Sequence, residues 1–441
     1  MQNSQLKAHR IRPLLLAVGL VVTALATVVS VRAEDEEAVG WQVLDREAAV
    51  RQALAQNLEL RAATWEVRKA QARLRWSGKL RPPELEVSAA TDQFGIDDDE
   101  SVIEIGIAQR FPITDRLKRA KALSRVEVAM AEAEIADARR QLIGEVERTF
   151  FETVSATEEV ALLTEIRDLL QAFVGTLEQQ VAQGTVSRLD VNQARLDRQQ
   201  IEKELRRQLT ESKRRMSALK TLLGVTDATR LSLNGELALP GADAEKPDAE
   251  AARNRRPDFQ LALLKEDRAR AEIALAESGR WEDVVVRLFA EREASVDEPD
   301  GLERNRFLGV GVSIPLPLKK ERLTDEPTAG LGQAEDQSRA LALKIENEVA
   351  AAAEVRDELL KLARETAGEM LALAEENLDA IAAAYANGQI ELVKYQRAQE
   401  QLLEARLGAL NSRAAYHAAE ADLREAGALH PAIHALGASA K

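Results

Sequence analysis

NLELRAATWEVRKAQARLRWSGKLRPPELEVSA, residues 57–89, can be laid without gaps on RPDFQLALLKEDRARAEIALAESGRWEDVVVRL, residues 256–288. The alignment pairs Lys69-Ala70-Gln71-Ala72 with Arg268-Ala269-Arg270-Ala271, and Leu85 and Val87 with Val284 and Val286. Farther on, Ile105-Gly106-Ile107-Ala108 falls on Val310-Gly311-Val312-Ser313, Phe111-Pro112-Ile113 on Leu316-Pro317-Leu318, and Gly184 on Gly388. The chain therefore repeats one structural unit instead of joining two unrelated domains. Each copy reads as a helix, two strands and a very long helical hairpin that turns at a glycine.

Alanine, glutamate, leucine and arginine dominate, aromatics are only 3%, and no proline lies between Pro112 and Pro240 or between Pro327 and Pro431. Such stretches favour uninterrupted helix. The pattern from Arg116 to Gln183 predicts a rod of roughly 100 Å at 1.5 Å per residue. Leu163, Ile166, Leu170, Phe173 and Leu177 step at heptad spacing, as do Leu371, Ala374, Leu378, Ile381 and Tyr385, which is a coiled-coil seam. Gly184 suits a left-handed helix end, and Ser187 with Asp190 forms a capping box that restarts the helix. Gly388 plays the same part before a less well capped restart near Glu391. Leu223-Gly224 and Ala426-Gly427 end the returning helices.

Strands are predicted only between these helices. Leu85, Val87 and Ala89 alternate with polar residues after Pro82-Pro83, and Ile103, Ile105 and Ile107 do so after the acidic turn Asp97 to Glu100. Val284, Val286 and Leu288, a long acidic connection through Asp297 to Asp300, and Leu308, Val310, Val312 and Ile314 repeat the theme. The fold class is mainly α with a small β part: duplicated long helical hairpins plus four strands. Strands of about ten residues can cross a bilayer, but a closed membrane barrel needs at least about eight of them. If the strands are membrane-inserted, oligomerisation is forced, and three copies would supply twelve. Phe94, Phe111, Phe289 and Phe307 are candidates for an aromatic girdle. The competing reading is a small soluble sheet joining helical rods.

Lys7, His9, Arg10 and Arg12 precede an apolar run from Leu14 to Val31, then Val31-Arg32-Ala33. Residues 1–33 read as a secretory signal, with an uncleaved anchor as the alternative. The first repeat spans 41–240, with strands over 84–94 and 101–113 and a tip at 184–190. The second spans 248–427, with strands over 283–293 and 307–317 and a tip at 388–394; residues 428–441 form a tail. Cysteine is absent, which excludes disulfides, and a net charge of -14 argues against nucleic acid.

Enzymatic chemistry is hard to place, and no cofactor is expected. His430 and His434 have helical metal spacing, but Pro431 lies between them and no third ligand is near. Ser217-Ala218-Leu219-Lys220 matches a nucleophile pattern inside a continuous helix without partner motifs.

From Trp41 to Gly427 the order, spacing and duplication of these segments resemble the TolC-type outer-membrane efflux proteins. Pro83-Glu84-Leu85-Glu86, Arg256-Pro257-Asp258-Phe259 and Gly311-Val312-Ser313-Ile314-Pro315-Leu316-Pro317 are most similar to the heavy-metal, CzcC-like branch. The resemblance implies a homotrimer with one shared β-barrel in outer-membrane lipid and a coiled-coil tunnel across the periplasm. It implies a passive exit duct served by a periplasmic adaptor and a proton-driven inner-membrane transporter of the RND type. The adaptor would dock on Gly184, Val186, Ser187, Leu189, Gly388, Ile390 and Glu391. Asp190 and Tyr385 match tip positions that often bear a pore-facing aspartate and tyrosine. Lys394 and Arg397 stand where the best-known relative has aspartates, which departs from an all-acidic gate. Asp190 then has two readings, an ion pair with Lys394 or Arg397 across a closed tip, or a helix cap. A soluble periplasmic adaptor or scaffold without a pore is the competing function, and the cargo is open.

Overall fold

The computed structural model describes residues 41–91, 101–184, 186–241, 246–297, 301–316 and 323–433. Residues 1–33, read above as a secretory signal, Phe94, the acidic stretch 97–100, residues 298–300 and His434 lie outside them. The first half runs β1 (Gln42–Leu44), α1 (Arg46–Gln56), α2 (Leu58–Trp76), β2 (Glu84–Thr91), β3 (Ser101–Phe111), α3 (Arg116–Ala182), α4 (Arg188–Leu223) and β4 (Leu231–Leu233). The second runs α5 (Ala249–Arg255), α6 (Pro257–Ser278), β5 (Val284–Asp297), β6 (Gly301–Ser313), α7 (Asp325–Glu365), a π-turn (Thr366–Met370), α8 (Leu371–Ala386) and α9 (Leu392–Ala426).

Helix α3 has 67 residues, about 100 Å of rod, as its proline-free sequence predicts. Its counterpart in the second half carries the π-turn between α7 and α8, so the two ascending rods differ at one point. The seam residues Leu163 and Leu177 are buried, whereas Ile166, Leu170 and the five seam positions of the second hairpin are half-buried. One chain alone thus covers only part of each seam.

Two differences from the sequence reading concern strands. The second pair is displaced from 283–293 and 307–317: β5 and β6 pair from Val285↔Ser313 out to Asp297↔Gly301, so β5 runs on past residue 293 while β6 begins at Gly301 and ends at Ser313. Glu291-Arg292-Glu293 and Glu303-Arg304 interrupt apolar alternation, yet charged residues remain compatible with a ladder whose bonds are all backbone. Phe289 and Phe307 consequently fall within strands, away from their ends. A second sheet, β1 paired parallel with β4, was also not foreseen, because three-residue strands carry no readable periodicity.

The core gathers where β1 and β4 meet the middle of α3. Val146, Phe150 and Val154 of α3 pack with Val50, Leu60, Leu219, Leu223, Leu231 and Ile433. Two corners fasten the short helices to this waist. Asn57 ends α1 and starts α2: its side chain accepts from the Leu60 amide at 2.9 Å and donates to the Leu222 carbonyl at 3.0 Å. Gly224, at φ +69°, closes α4 directly against that corner, and an added Cβ there would meet the Gln56 carbonyl oxygen at 2.4 Å.

In the second half Arg256 occupies the equivalent corner. Its buried guanidinium pairs with Asp258 at 2.6 Å and Glu348 at 2.8 Å, and donates to the Ala426 carbonyl at 3.3 Å. The Arg-Pro-Asp-Phe segment thereby ties α6 to α7 and α9. Burial alone would push the Asp258 carboxyl up, but the hydrogen bonds and charge of Arg256 outweigh it and hold it below its ordinary range.

Gly224→Ala is expected to lower unfolding stability by about 2 kcal/mol or more through the left-handed φ and the clash with Gln56; an unchanged thermal midpoint would contradict this packing. Arg256→Met should cost about 2–3 kcal/mol at neutral pH, since it strands the half-buried carboxylates of Asp258 and Glu348 and leaves the Ala426 carbonyl without its donor. A depressed folded-state pKa stabilises fully above the unfolded value, so the gap between Arg256→Met and parent should hold down to about pH 4 and narrow as pH falls through the folded pKa. Denaturation midpoints across that range check both statements.

Candidate functional site

Two surfaces carry the functional reading, at opposite ends of the rods. The four-stranded sheet has the order β2-β3-β5-β6, antiparallel throughout. Its register builds rows that cross all four strands. Leu85, Ile107, Leu288 and Val310 form one, and Val87, Ile105, Ala290 and Leu308 the next. Since side chains alternate between faces, these rows share one face, which Gln109, Val286 and Val312 continue. That face is bare: Leu85, Leu308 and Val310 are 71, 80 and 69% exposed. Contiguous exposed apolar surface of this extent marks a membrane or partner contact.

The opposite face is polar. Arg287 reaches Glu104 at 2.9 Å and Glu86 at 3.5 Å, and Arg110 reaches Glu84 at 3.3 Å. Phe289, on this same face, is accommodated because Gly309 opposes it; a Cβ at Gly309 would come within 2.3 Å of the ring. Below the strands, Trp76 and Trp281 are exposed, with Lys79 4.4 Å above the Trp76 ring. Tryptophans at such a boundary suit a membrane interface. The sequence reading passed over them because they lie outside the strands themselves.

The tips are built as their residues predict. Gly184 and Gly388 take φ +76° and +69°. Ser187 caps α4 through the Leu189 amide at 3.1 Å, while the Ser187 amide donates to Asp190 at 3.2 Å, completing the capping box. Asp190 is therefore a cap, and no ion pair joins it to Lys394 or Arg397 within the chain among the described residues. Those two side chains are exposed. Tyr385 is half-buried and stacks on Tyr395, with centroids 5.2 Å apart and planes at 9°; burial, then the charge of Asp190, pushes its hydroxyl pKa up.

The sequence reading missed what joins the hairpins. Tyr395 also meets Phe173 at 5.6 Å, and the aromatic group covers Val174, Leu177, Val191, Ala194 and Leu392. Just above it, Gln396 of α9 donates to Asp197 of α4 at 2.8 Å. These are contacts between repeats, for which periodicity gives no signal. Val393 was missed but was findable: Leu189 and Val393 each stand five residues beyond a tip glycine, and they are 74 and 63% exposed. Val186 and Ile390 are half-buried, and Ser187 and Glu391 exposed.

Among the described residues no group of three or more His, Asp or Glu side chains could hold a metal ion. Lys220, of the Ser-x-x-Lys pattern, binds the Asp227 carbonyl and carboxylate at 2.8 and 3.1 Å. Among the described residues no helix is long and apolar enough to cross a membrane.

Residues 49–225 match the family model described as "Outer membrane efflux protein". The cobalt-zinc-cadmium resistance protein CzcC of Cupriavidus metallidurans is 27% identical over 322 residues, covering 70% of this chain and 73% of that protein. Among solved structures, CusC superposes with a TM-score of 0.69 at 18% identity, over 87% of this chain and 91% of CusC. The open-state MtrE channel of Neisseria gonorrhoeae gives 0.69 at 15%, over 87 and 88%. VceC of Vibrio cholerae gives 0.66 at 18%, over 87 and 95%. These likenesses establish the fold: long helical hairpins joined to a small set of strands.

The clasp between the hairpins should be separable from their folding. With no native cysteine, spin labels at Leu189→Cys and Val393→Cys report the spacing of the two tips without background. Gln396→Leu is expected to lengthen and broaden that distance distribution, because it leaves the Asp197 carboxylate without its cross-hairpin donor. An unchanged distribution would show that the aromatic stack alone holds the tips.

Proposed function

We propose that this chain, a TolC-type outer membrane efflux protein by its family match and its fold, is the outer-membrane exit channel of a tripartite efflux system. It is a conduit and not an enzyme. The observation that carries the reading is the sheet: one bare apolar face, one ion-paired polar face, and two edges, β2 and β6, without a partner strand among the described residues. Backbone groups at such edges cannot remain unpaired in lipid. Four strands cannot close a barrel by themselves. Because β2 and β6 run in opposite directions, β6 of one copy can pair antiparallel with β2 of the next, and three copies close a twelve-stranded wall. The apolar face then meets lipid and the Arg287, Glu86 and Glu104 face lines the lumen.

The rods continue that lumen through the periplasm, and the half-buried seams of one protomer are completed by its neighbours. The protruding tip residues Leu189 and Val393, with Val186 and Ile390, offer apolar knobs to a periplasmic adaptor. An inner-membrane transporter of the RND type supplies energy. The cobalt-zinc-cadmium resistance role of the CzcC relative supports divalent metal ions as the cargo, although the chain has no cysteine, four methionines and four histidines, too few soft ligands to choose a metal in the duct itself. Selection would then belong to the pump and adaptor.

Expressed with its signal, the protein is expected in the outer-membrane fraction as a detergent-resistant trimer that forms steady pores in planar bilayers. Recovery solely as a soluble periplasmic monomer would sink the channel reading in favour of the scaffold. Deleting the gene should lower tolerance to zinc, cobalt or cadmium, restored by the parent chain; unchanged tolerance to all three would remove metal cargo from the proposal.

A further inference from the structure

At the end of the sheet farthest from the helices, charge sorts by face. Beyond the row that ends in Ala290 and Leu308, the apolar face continues as Ala89, Ile103, Arg292 and Arg306, then as Thr91, Ser101, Ala294 and Arg304. On the opposite face the same span of β5 and β6 carries Glu291, Glu293 and Glu303. Three guanidinium groups thus stand on one side and three carboxylates on the other. Arg292 and Arg306 are directly cross-strand, where like charges repel. All three arginines are exposed. The ion pairs of the strands are those of Arg110 and Arg287, and among the described residues none involves Arg292, Arg304 or Arg306.

We propose that Arg292, Arg304 and Arg306 form a binding site for the phosphate groups of acylated, phosphorylated glycolipid in the outer leaflet, one site per protomer. The inference rests on the outer-membrane reading above. With the helices in the periplasm, the β5–β6 turn is the external end. On β5 and β6 the apolar residues of this face end at Ala290 and Leu308, so Arg292 and Arg306 are the first charged side chains met on it toward the external end. An arginine deep in the bilayer is strongly disfavoured, while one at the boundary is tolerated. A phosphate oxygen pair fits a guanidinium fork bidentately, and one phosphate shared by Arg292 and Arg306 removes their mutual repulsion. Carboxylates on the same face would repel that ligand, and all three point to the lumen.

The test uses the full-length assembled channel in mild detergent, titrated with diphosphoryl lipid A, dephosphorylated lipid A and phosphatidylglycerol, with bound lipid counted by native mass spectrometry. Diphosphoryl lipid A should bind about tenfold more tightly than its dephosphorylated form, as expected for charge-assisted hydrogen bonds. The triple variant R292Q/R304Q/R306Q should lose that preference while E291Q/E293Q keeps it. Equal binding of the phosphorylated and dephosphorylated forms, or a preference retained by the triple variant, would overturn the site. Phosphatidylglycerol binding as tightly as diphosphoryl lipid A would overturn the glycolipid assignment. If the triple variant fails to assemble, the parent's discrimination between the three lipids still decides. A parent that never reaches the outer membrane refutes the channel reading, whereas one that inserts and conducts without discriminating refutes only this site.

Discussion

Hydrogen-bond valence at the two ends of the strand order governs this molecule. Every strand residue carries a donor and an acceptor, and β3 and β5 satisfy theirs from both sides while β2 and β6 do so from one. Water can complete the ladder, but lipid cannot. In the proposed channel a like chain supplies the missing partner. The neighbour that completes the wall would also stand beside the rods and cover their half-buried seams.

Division of labour between the faces follows from strict alternation along the strands. The row containing Leu85 and Val310 cannot shift by one residue without bringing Glu86, Glu104 and Arg287 onto the apolar face. The register is thus protected by the cost of the alternative. At the tips a different economy holds: Asp190 is committed to its capping box, and the joining of the two hairpins is left to Phe173, Tyr395, Asp197 and Gln396.

Much of this arrangement is legible in the amino-acid order. The duplication, the long α3, the tip glycines and the apolar face all depend on local rules: helix propensity, positive φ and period-two alternation. The outer halves of β5 and β6 were not legible, because Glu291-Arg292-Glu293 breaks alternation without breaking backbone pairing. The short β1 and β4 exist through the core around Phe150 and have no pattern of their own. Tyr395 and Gln396 belong to a contact between distant segments, and no periodic signal announces such a contact. For Asp190 the sequence supported both a cap and an ion pair, and the neighbouring Ser187 amide is what its carboxylate meets within the chain.

The π-turn at Thr366–Met370 separates a buried stripe on α7, running through Ile345, Val349, Ala353 and Leu360, from the half-buried seam of α8. An additional residue in one turn rotates everything beyond it by roughly 100° about the helix axis. The lower part of the second hairpin is thus indexed independently of its upper part, whereas α3 transmits one unbroken phase along its whole length. The two halves are therefore not interchangeable parts: a segment of α3 transplanted across the position of the π-turn would carry the second rod to its tip with the wrong azimuth.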